Sequence, residues 1–257
     1  MKIGLIGKGT VGTAVYRGLS ELGHTMSFVD PAYPETNFVD ILDTDCVFVC
    51  VPTEQAGNGD CDTSIVEKVM SDLTLANYQG LVAIKSSVIP GTADRLSAEF
   101  PGLKICSVPE FLRAKTAYDD FVNHQDLLVI GSTREEDYAI IIETHGHYPQ
   151  NIARVKPVEA EVIKYFNNVN HSVQIVFANI AFEICKSLGG DYQNVYNAII
   201  KRDCFNPAYL DCNENLRGFG GHCLPKDTNA WNNLIKELGL EFTMIDAVLK
   251  DNEKLIK

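Results

Sequence analysis

Residues 2–30 constrain the fold more than any other stretch. Lys2 to Ile6 reads as a short apolar strand and runs straight into Gly7-Lys8-Gly9-Thr10-Val11-Gly12. Thr13 to Gly23 then has helical apolar spacing with a glycine stop, and a second strand, Thr25 to Val29, ends at Asp30, eighteen residues past Gly12. A bare G-x-G-x-x-G says little. Between a strand and a helix, with an acid closing the next strand, it predicts the βαβ unit that binds a dinucleotide. Gly7, Gly9 and Gly12 let the backbone turn and approach a pyrophosphate. The free N–H groups at the start of the following helix would meet that charge, with Thr10 and Val11 lying in the glycine turn beside it. Asp30 would accept from ribose hydroxyls and repel a 2′-phosphate, which favours NAD over NADP.

The alternation continues. Strands are expected at Cys46 to Val51, Leu81 to Lys85, Lys104 to Val108 and Leu127 to Ile130, with helices such as Ser64 to Leu73 and Glu135 to His145 between them. This pattern predicts a Rossmann-type doubly wound parallel sheet that takes its ligands at the strand C-termini. Near Arg154–Pro157 the pattern changes to nearly continuous helix. Pro157 to Leu188 has a wide apolar face and no internal Gly or Pro, and at 1.5 Å per residue would span about 48 Å. Shorter helices are expected at 192–200, 228–239 and 241–257, with an irregular loop through Asn215. The expected class is therefore α/β, with a dinucleotide-binding domain over 1–156. An all-α domain built on the long central helix follows over 157–257.

Composition narrows the partners. A formal charge of −12 argues against nucleic acid and anionic membrane surfaces. No apolar run reaches the roughly 18 residues of a membrane span. Eight cysteines without a C-x-x-C pair predict free thiols in a reducing cytoplasm and no metal site. Cys46 and Cys50 share one strand face and read as small buried hydrophobes.

The densest chemistry lies in Gly218-Phe219-Gly220-Gly221-His222-Cys223-Leu224-Pro225-Lys226-Asp227. Lys226 could favour the Cys223 thiolate. If a helix starts at Pro225, a favoured first position, Asp227 could face the sulfur. A tight helix-entry turn with a small buried cysteine satisfies the same composition, and the residues alone leave both readings open.

This block resembles the cysteine motif of the nucleotide-sugar 6-dehydrogenases, the UDP-glucose and GDP-mannose dehydrogenase family. More matches follow: Val51-Pro52-Thr53 resembles the family's V-P-T turn, Lys85-Ser86-Ser87 its K-S-T loop, and Pro109-Glu110-Phe111-Leu112-Arg113 its P-E-F-L-R-E segment. Lys164 and Asn168, four apart on one helix face, match its lysine and asparagine. The resemblance implies NAD-dependent oxidation of a sugar C6 alcohol to the carboxylate, UDP-glucose to UDP-glucuronate first among the substrates. Cys223 would be the covalent nucleophile, Lys164 and Asn168 would stabilise the alkoxide, Asp227 would act through a water, and Glu110 would be the base. Gly7, Gly9, Thr10, Val11, Gly12, Asp30, Pro52, Thr53, Ser87 and Lys226 would hold NAD. Phe111, Leu112, Arg113, Phe219 and Gly220 would hold the sugar nucleotide, and either Arg202 or Arg217 would reach a partner subunit's substrate. A homodimer through the long helix is expected.

Three departures qualify the resemblance. Ala114 and Lys115 stand where the family has a second glutamate and a glycine, which puts more of the proton chemistry on Glu110. Asn179-Ile180 replaces an Asn-Glu pair. The family's second Rossmann-like unit, which holds much of the nucleotide, has no counterpart before Lys257, so a short form is expected, with the Cys204–Asn215 loop or a separate chain as substitute wall. Two other readings stay open: a single-hydride hydroxyacid-type dehydrogenase, and a non-catalytic NAD-binding protein derived from the family.

Overall fold

The structure is a computed structural model and describes residues 1–205 and 207–256. Its first half alternates strand and helix: β1 Lys2–Ile6, α1 Thr10–Glu21, β2 Thr25–Val29, β3 Cys46–Val49, α2 Ser64–Leu75, β4 Leu81–Ile84, α3 Thr92–Glu99, β5 Lys104–Ser107, α4 Ala117–Val122, β6 Leu127–Gly131, α5 Glu135–His145 and β7 Asn151–Val155. The seven strands form one sheet in the order β2-β1-β3-β4-β5-β6-β7. All neighbours are parallel except β5 and β6, which meet antiparallel through the single pair Ser107 and Gly131. The sheet is thus mixed at one joint rather than parallel throughout.

Every residue of β3 and β4 is buried, as expected of strands covered on both faces. Period-two alternation divides them between two cores. Phe48 and Ala83 pack with Ile3, Leu5, Phe121 and Ile141 on one face. Val47, Val49, Val82 and Ile84 pack with Val66, Met70 and Leu96 on the other. β1 lies between β2 and β3, so the chain leaves it toward one side and returns on the other. The C-terminal ends of β1 and β3 therefore flank the topological switch point where such sheets take ligands.

The chain then enters α6, Pro157–Ser187, 31 residues and about 46 Å long. After it come α7 Tyr192–Ile199, a 3-10 turn Pro207–Tyr209, α8 Cys223–Glu237 and α9 Met244–Leu255. Two compact units result. One comprises Met1–Glu54 and Asp62–Lys164; the other comprises Gln55–Cys61 and the chain from Tyr165 onward. The boundary expected at 156/157 coincides with the start of α6, and the units part about two turns later, between Lys164 and Tyr165.

Small clusters hold the second unit. Phe182 meets Tyr192 edge-on beside Leu210 and Cys212. Tyr165 stacks on Trp231 beside Cys61 and Ala230. Val176, Phe219 and Val248 form a third group. Among the described residues, no helix is long and apolar enough to cross a membrane.

Candidate active site

In the first unit the glycine loop is built as its residues require. Gly7 has φ +90, and a Cβ there would lie 2.6 Å from the Cys50 carbonyl oxygen. A Cβ on Gly12 would come within 2.0 Å of the Gly7 oxygen, whereas one on Gly9 meets nothing within 4 Å. Gly9 is the N-cap of α1, no side chain caps this helix, and its first turn has no acid. The leading N–H groups at Thr10 and Val11 therefore receive no side-chain cap from the protein. Asp30, directly after β2, accepts from the Lys8 amide at 2.6 Å and the Ala32 amide at 2.8 Å. A cleft of about 560 Å3 opens over Gly9, Thr10 and Thr13, with residues 114–119 as its facing wall.

Other predicted residues of this unit hold one another. The Thr53 hydroxyl donates to the Ser87 carbonyl at 2.8 Å, and the Ser86 hydroxyl to the Val51 carbonyl at 2.8 Å, joining the loops after β3 and β4. Pro52 is exposed beside them. Glu110 is buried against Lys85, with Oε2 3.0 Å from Nζ, and its other oxygen accepts from the Phe111 amide at 2.9 Å. Leu112 packs on the sheet core. The Arg113 guanidinium forks onto Asp120, whose carboxyl is held down at about 2, chiefly by that side-chain hydrogen bond. Lys164 is buried, with Nζ 5.4 Å from the Phe111 ring centre.

One turn before Lys164, Glu161 reaches α3. Its two oxygens accept from the Gly91 and Ala93 amides at 2.6 and 2.8 Å, so a carboxylate from α6 caps a helix whose own N-cap, Gly91, has no side chain. Burial pushes Glu161 up to about 7, the Ala93 and Gly91 amides oppose the rise, and Asp94 adds to it.

In the second unit the cysteine block forms a cluster. α8 begins at Cys223, ahead of both the helix expected over 228–239 and the start at Pro225 considered for the cysteine block. Proline sits at the third helical position, where its missing N–H is still one of the helix's unpaired donors. The exposed Cys223 sulfur is thus at the helix N-terminus, with Asp227 one turn on along the same face. Asp227 is fully buried; Oδ2 accepts from Asn168 Nδ2 at 2.6 Å and Oδ1 lies 2.7 Å from Lys226 Nζ. Asn168 in turn accepts from Asn167 at 3.0 Å. Lys226 also donates to Cys61 Sγ at 3.8 Å. The hydroxyls of Ser172 and Thr228, both fully buried, lie 2.8 Å apart behind this cluster.

Ahead of Cys223, the amide side chain of Asn252 clamps the Phe219 backbone. Its oxygen accepts from the Phe219 N–H at 2.6 Å and its NH2 donates to the Phe219 carbonyl at 2.9 Å. Gly218 has φ +59 and no room for a Cβ beside Asn252, whereas Gly220 faces open space. Arg217 Nε donates to Asn179 at 2.7 Å, its Nη2 pairs with Glu183, and its guanidinium lies 4.6 Å from the Phe182 ring centre. Arg202 is exposed. The loop expected to wall the substrate includes Asn206, outside the described residues. Elsewhere in it, Tyr192 donates to the Leu210 carbonyl at 2.9 Å, and Tyr209 stacks on His171 with ring centres 3.7 Å apart.

Residues 34–148 match the NAD binding domain of the UDP-glucose/GDP-mannose dehydrogenase family, and residues 158–254 match that family's central domain. The chain belongs to this family. A UDP-glucose 6-dehydrogenase of Haloferax volcanii is 30% identical, over 98% of this chain and 70% of that one. The GDP-mannose 6-dehydrogenase of Pseudomonas aeruginosa is 29% identical over 84% of this chain and 52% of its own. The structure of a UDP-glucose dehydrogenase from Pyrobaculum islandicum superposes with a TM-score of 0.88 at 30% identity, covering 98% of this chain and 68% of that one. The chain thus spans between about half and 70% of these relatives.

Membership in the UDP-glucose/GDP-mannose dehydrogenase family brings the NAD-dependent oxidoreductase class and NAD as cofactor. The loop fits that cofactor, since Gly9 leaves its cradle open and α1 offers donors without a side-chain cap. Of the cysteines, burial pushes the thiols of Cys46 and Cys106 well up, Cys50 to about 12 and Cys212 to about 11. Cys204 and Cys223 are the two exposed ones. Sequence reasoning missed Glu161, the Ser172–Thr228 pair, the Cys61 contact and the Asn252 clamp. Glu161 left one legible trace, an acid three residues before a lysine on the predicted helix. The others join positions far apart in sequence.

Proposed function

We propose that this chain oxidises the C6 alcohol of a nucleotide sugar, UDP-glucose first, to the carboxylate. The observation that carries the reading is Cys223 at the first position of α8, one turn from an Asp227 that Asn168 and Lys226 hold. Two NAD molecules, bound in turn at the glycine loop, would each take up one hydride. The chain's own residues do the rest. Lys164 and Asn168 stabilise the alkoxide as the first oxidation proceeds, and Asp227 takes the hydroxyl proton through a water. Cys223 adds to the resulting aldehyde, forming a thiohemiacetal. The second oxidation leaves a thioester, and water, deprotonated by Glu110, displaces the thiol. In balance, one alcohol and one water become one carboxylate while two hydrides and three protons leave.

The Lys85 pair holds Glu110 in one orientation, and the Phe111 amide occupies a lone pair of its other oxygen. That supports a base of fixed position. Of the two candidate arginines, Arg217 is taken up by Asn179 and Glu183, so Arg202 is the one we assign to a partner subunit's substrate.

The reading is tested with UDP-glucose and NAD. Two NADH should form per UDP-glucuronate, and Cys223→Ala should stop acid formation while NADH still binds. Acid produced by that variant at the wild-type rate would remove the covalent route.

The same proposal includes a homodimer. Phe166, Phe177, Ile180 and Ile184 lie along one face of α6 and are 44–68% exposed, an apolar stripe of a kind that monomers seldom leave in water. Light scattering should give twice the chain mass at micromolar concentration, and Phe177→Glu should halve it. A monomeric wild type would end this part of the proposal.

A further inference from the structure

The wall facing the glycine loop carries a cation in a fixed place. The Thr116 amide donates to the Arg113 carbonyl at 3.0 Å, closing a β-turn whose two central residues are Ala114 and Lys115. Asp120 grips both ends of this turn. One of its oxygens accepts from the Arg113 amide at 2.9 Å and the Thr116 hydroxyl at 2.9 Å, while the Arg113 guanidinium forks across both. Lys115 is thereby presented from a turn tied at both ends.

Two charged residues line the cleft over Gly9, Thr10 and Thr13: Lys115 and Asp119. Asp119 is engaged, with Asn123 donating to one oxygen at 2.9 Å and His124 3.0 Å from the other. Lys115 is exposed and, among the described residues, makes no ion pair or hydrogen bond. Lys8, inside the glycine loop, is no substitute, because its ammonium sits 3.5 Å from the Phe28 ring centre and 4.3 Å from that of Tyr16. The cleft therefore has helix N–H donors on one side and a single uncommitted cation on the other.

We propose that Lys115 binds the pyrophosphate of the dinucleotide from the wall opposite α1. The proposal rests on the reading of the glycine loop as the NAD site. A diphosphate carries two negative charges, and α1 contacts it through dipoles alone. Lys115 adds a full charge, to which a phosphate bonds more strongly than to a neutral donor. Where the resemblance has glutamate and glycine, this chain has alanine and lysine, so the wall loses an anion and gains a cation. NAD binding here should accordingly depend on salt, since the pair is solvent-exposed.

The test is a fluorescence titration of NADH into wild type, Lys115→Ala and Lys115→Glu, with ADP-ribose and adenosine as competitors at low and high sodium chloride. Melting curves should be unchanged, because Lys115 touches nothing that holds the fold. The alanine variant should bind NADH and ADP-ribose roughly three- to tenfold more weakly, the glutamate variant more weakly still, and both should bind adenosine as wild type does. The salt dependence of NADH binding should flatten in the alanine variant. Equal NADH affinity across the three proteins, or an equal loss toward adenosine, would overturn the assignment of Lys115 alone. Failure of wild type to bind either NADH or ADP-ribose would overturn the NAD site itself.

Discussion

Two glycine-rich segments of this chain end in the first turn of a helix, and they use the same backbone device for opposite ends. At Gly7–Gly12 the helix start has no capping side chain, no acid in its first turn, and open space beside Gly9. At Gly218–Cys223 the helix start presents a thiol, and the next turn is filled with a buried ion pair and an amide that serves it. The first segment is shaped for something that arrives; the second has its reactive atom built in. A third helix start, after Gly91, shows what a finished cap looks like, with Glu161 reaching in from α6. Unsatisfied donors at a helix start can therefore be filled from within, aimed at a ligand, or set behind a nucleophile, and the surrounding side chains decide which.

The contrast predicts different costs when each segment is broken. Asp227→Ala strands the buried Lys226 ammonium without its counter-ion, which should lower stability by about 4 kcal/mol and end activity, while NADH binding persists. Urea titration beside NADH fluorescence reads both. Gly12→Ala drives a Cβ into the Gly7 carbonyl. It should cost about 3 kcal/mol and abolish NADH binding, which Asp227→Ala leaves in place. A Gly12→Ala protein that still bound NADH at wild-type affinity would break the comparison.

Glu161 gives a smaller effect with a definite sign. Its folded-state value is raised to about 7 from 4.5, so the folded protein holds this proton more tightly than the unfolded chain does. Stability should then fall as pH rises from about 4.5 to about 7, and level off above. Glu161→Gln should remove that slope, measured as urea midpoints from pH 4 to 8. Smallest of all, Gly220→Ala enters open space and should move stability by less than about 0.5 kcal/mol. A large loss there would mean that the loop before Cys223 packs more closely around Gly220 than this open space indicates.

The parts of the molecule legible in the sequence are those whose cause is local. β1, α1 and β2 follow from thirty consecutive residues, and α6 from an unbroken helical period that ends at Ser187, one residue short of the expected Leu188. β7 was not legible: its five residues are exposed or half-buried, so an edge strand left no apolar alternation to read. The first turn of α8 was not legible, because three glycines precede Cys223 and a proline stands at the third helical position, so the helical pattern shows only from Thr228. Lys85 and Glu110 were each noticed in their motifs, but not as a pair, because 25 residues separate them and only adjacent strands bring them together. Lys115 was read as a departure from a pattern; its place in the wall of the cleft required the turn that Asp120 closes.

The seven residues Gln55–Cys61 leave the first unit and return to it, so the chain passes between the units three times. In this short excursion, Asn58 and Asp60 accept from Asn233 of α8 at 3.1 and 2.6 Å, and Cys61 meets Lys226. The two units are consequently not exchangeable cassettes. A chimera spliced at Lys164 with the N-terminal half of a relative would import a foreign version of this excursion and set it against α8. Successful grafts should be those that carry residues 55–61 along with the C-terminal half, as a transplanted graft carries its own rootstock.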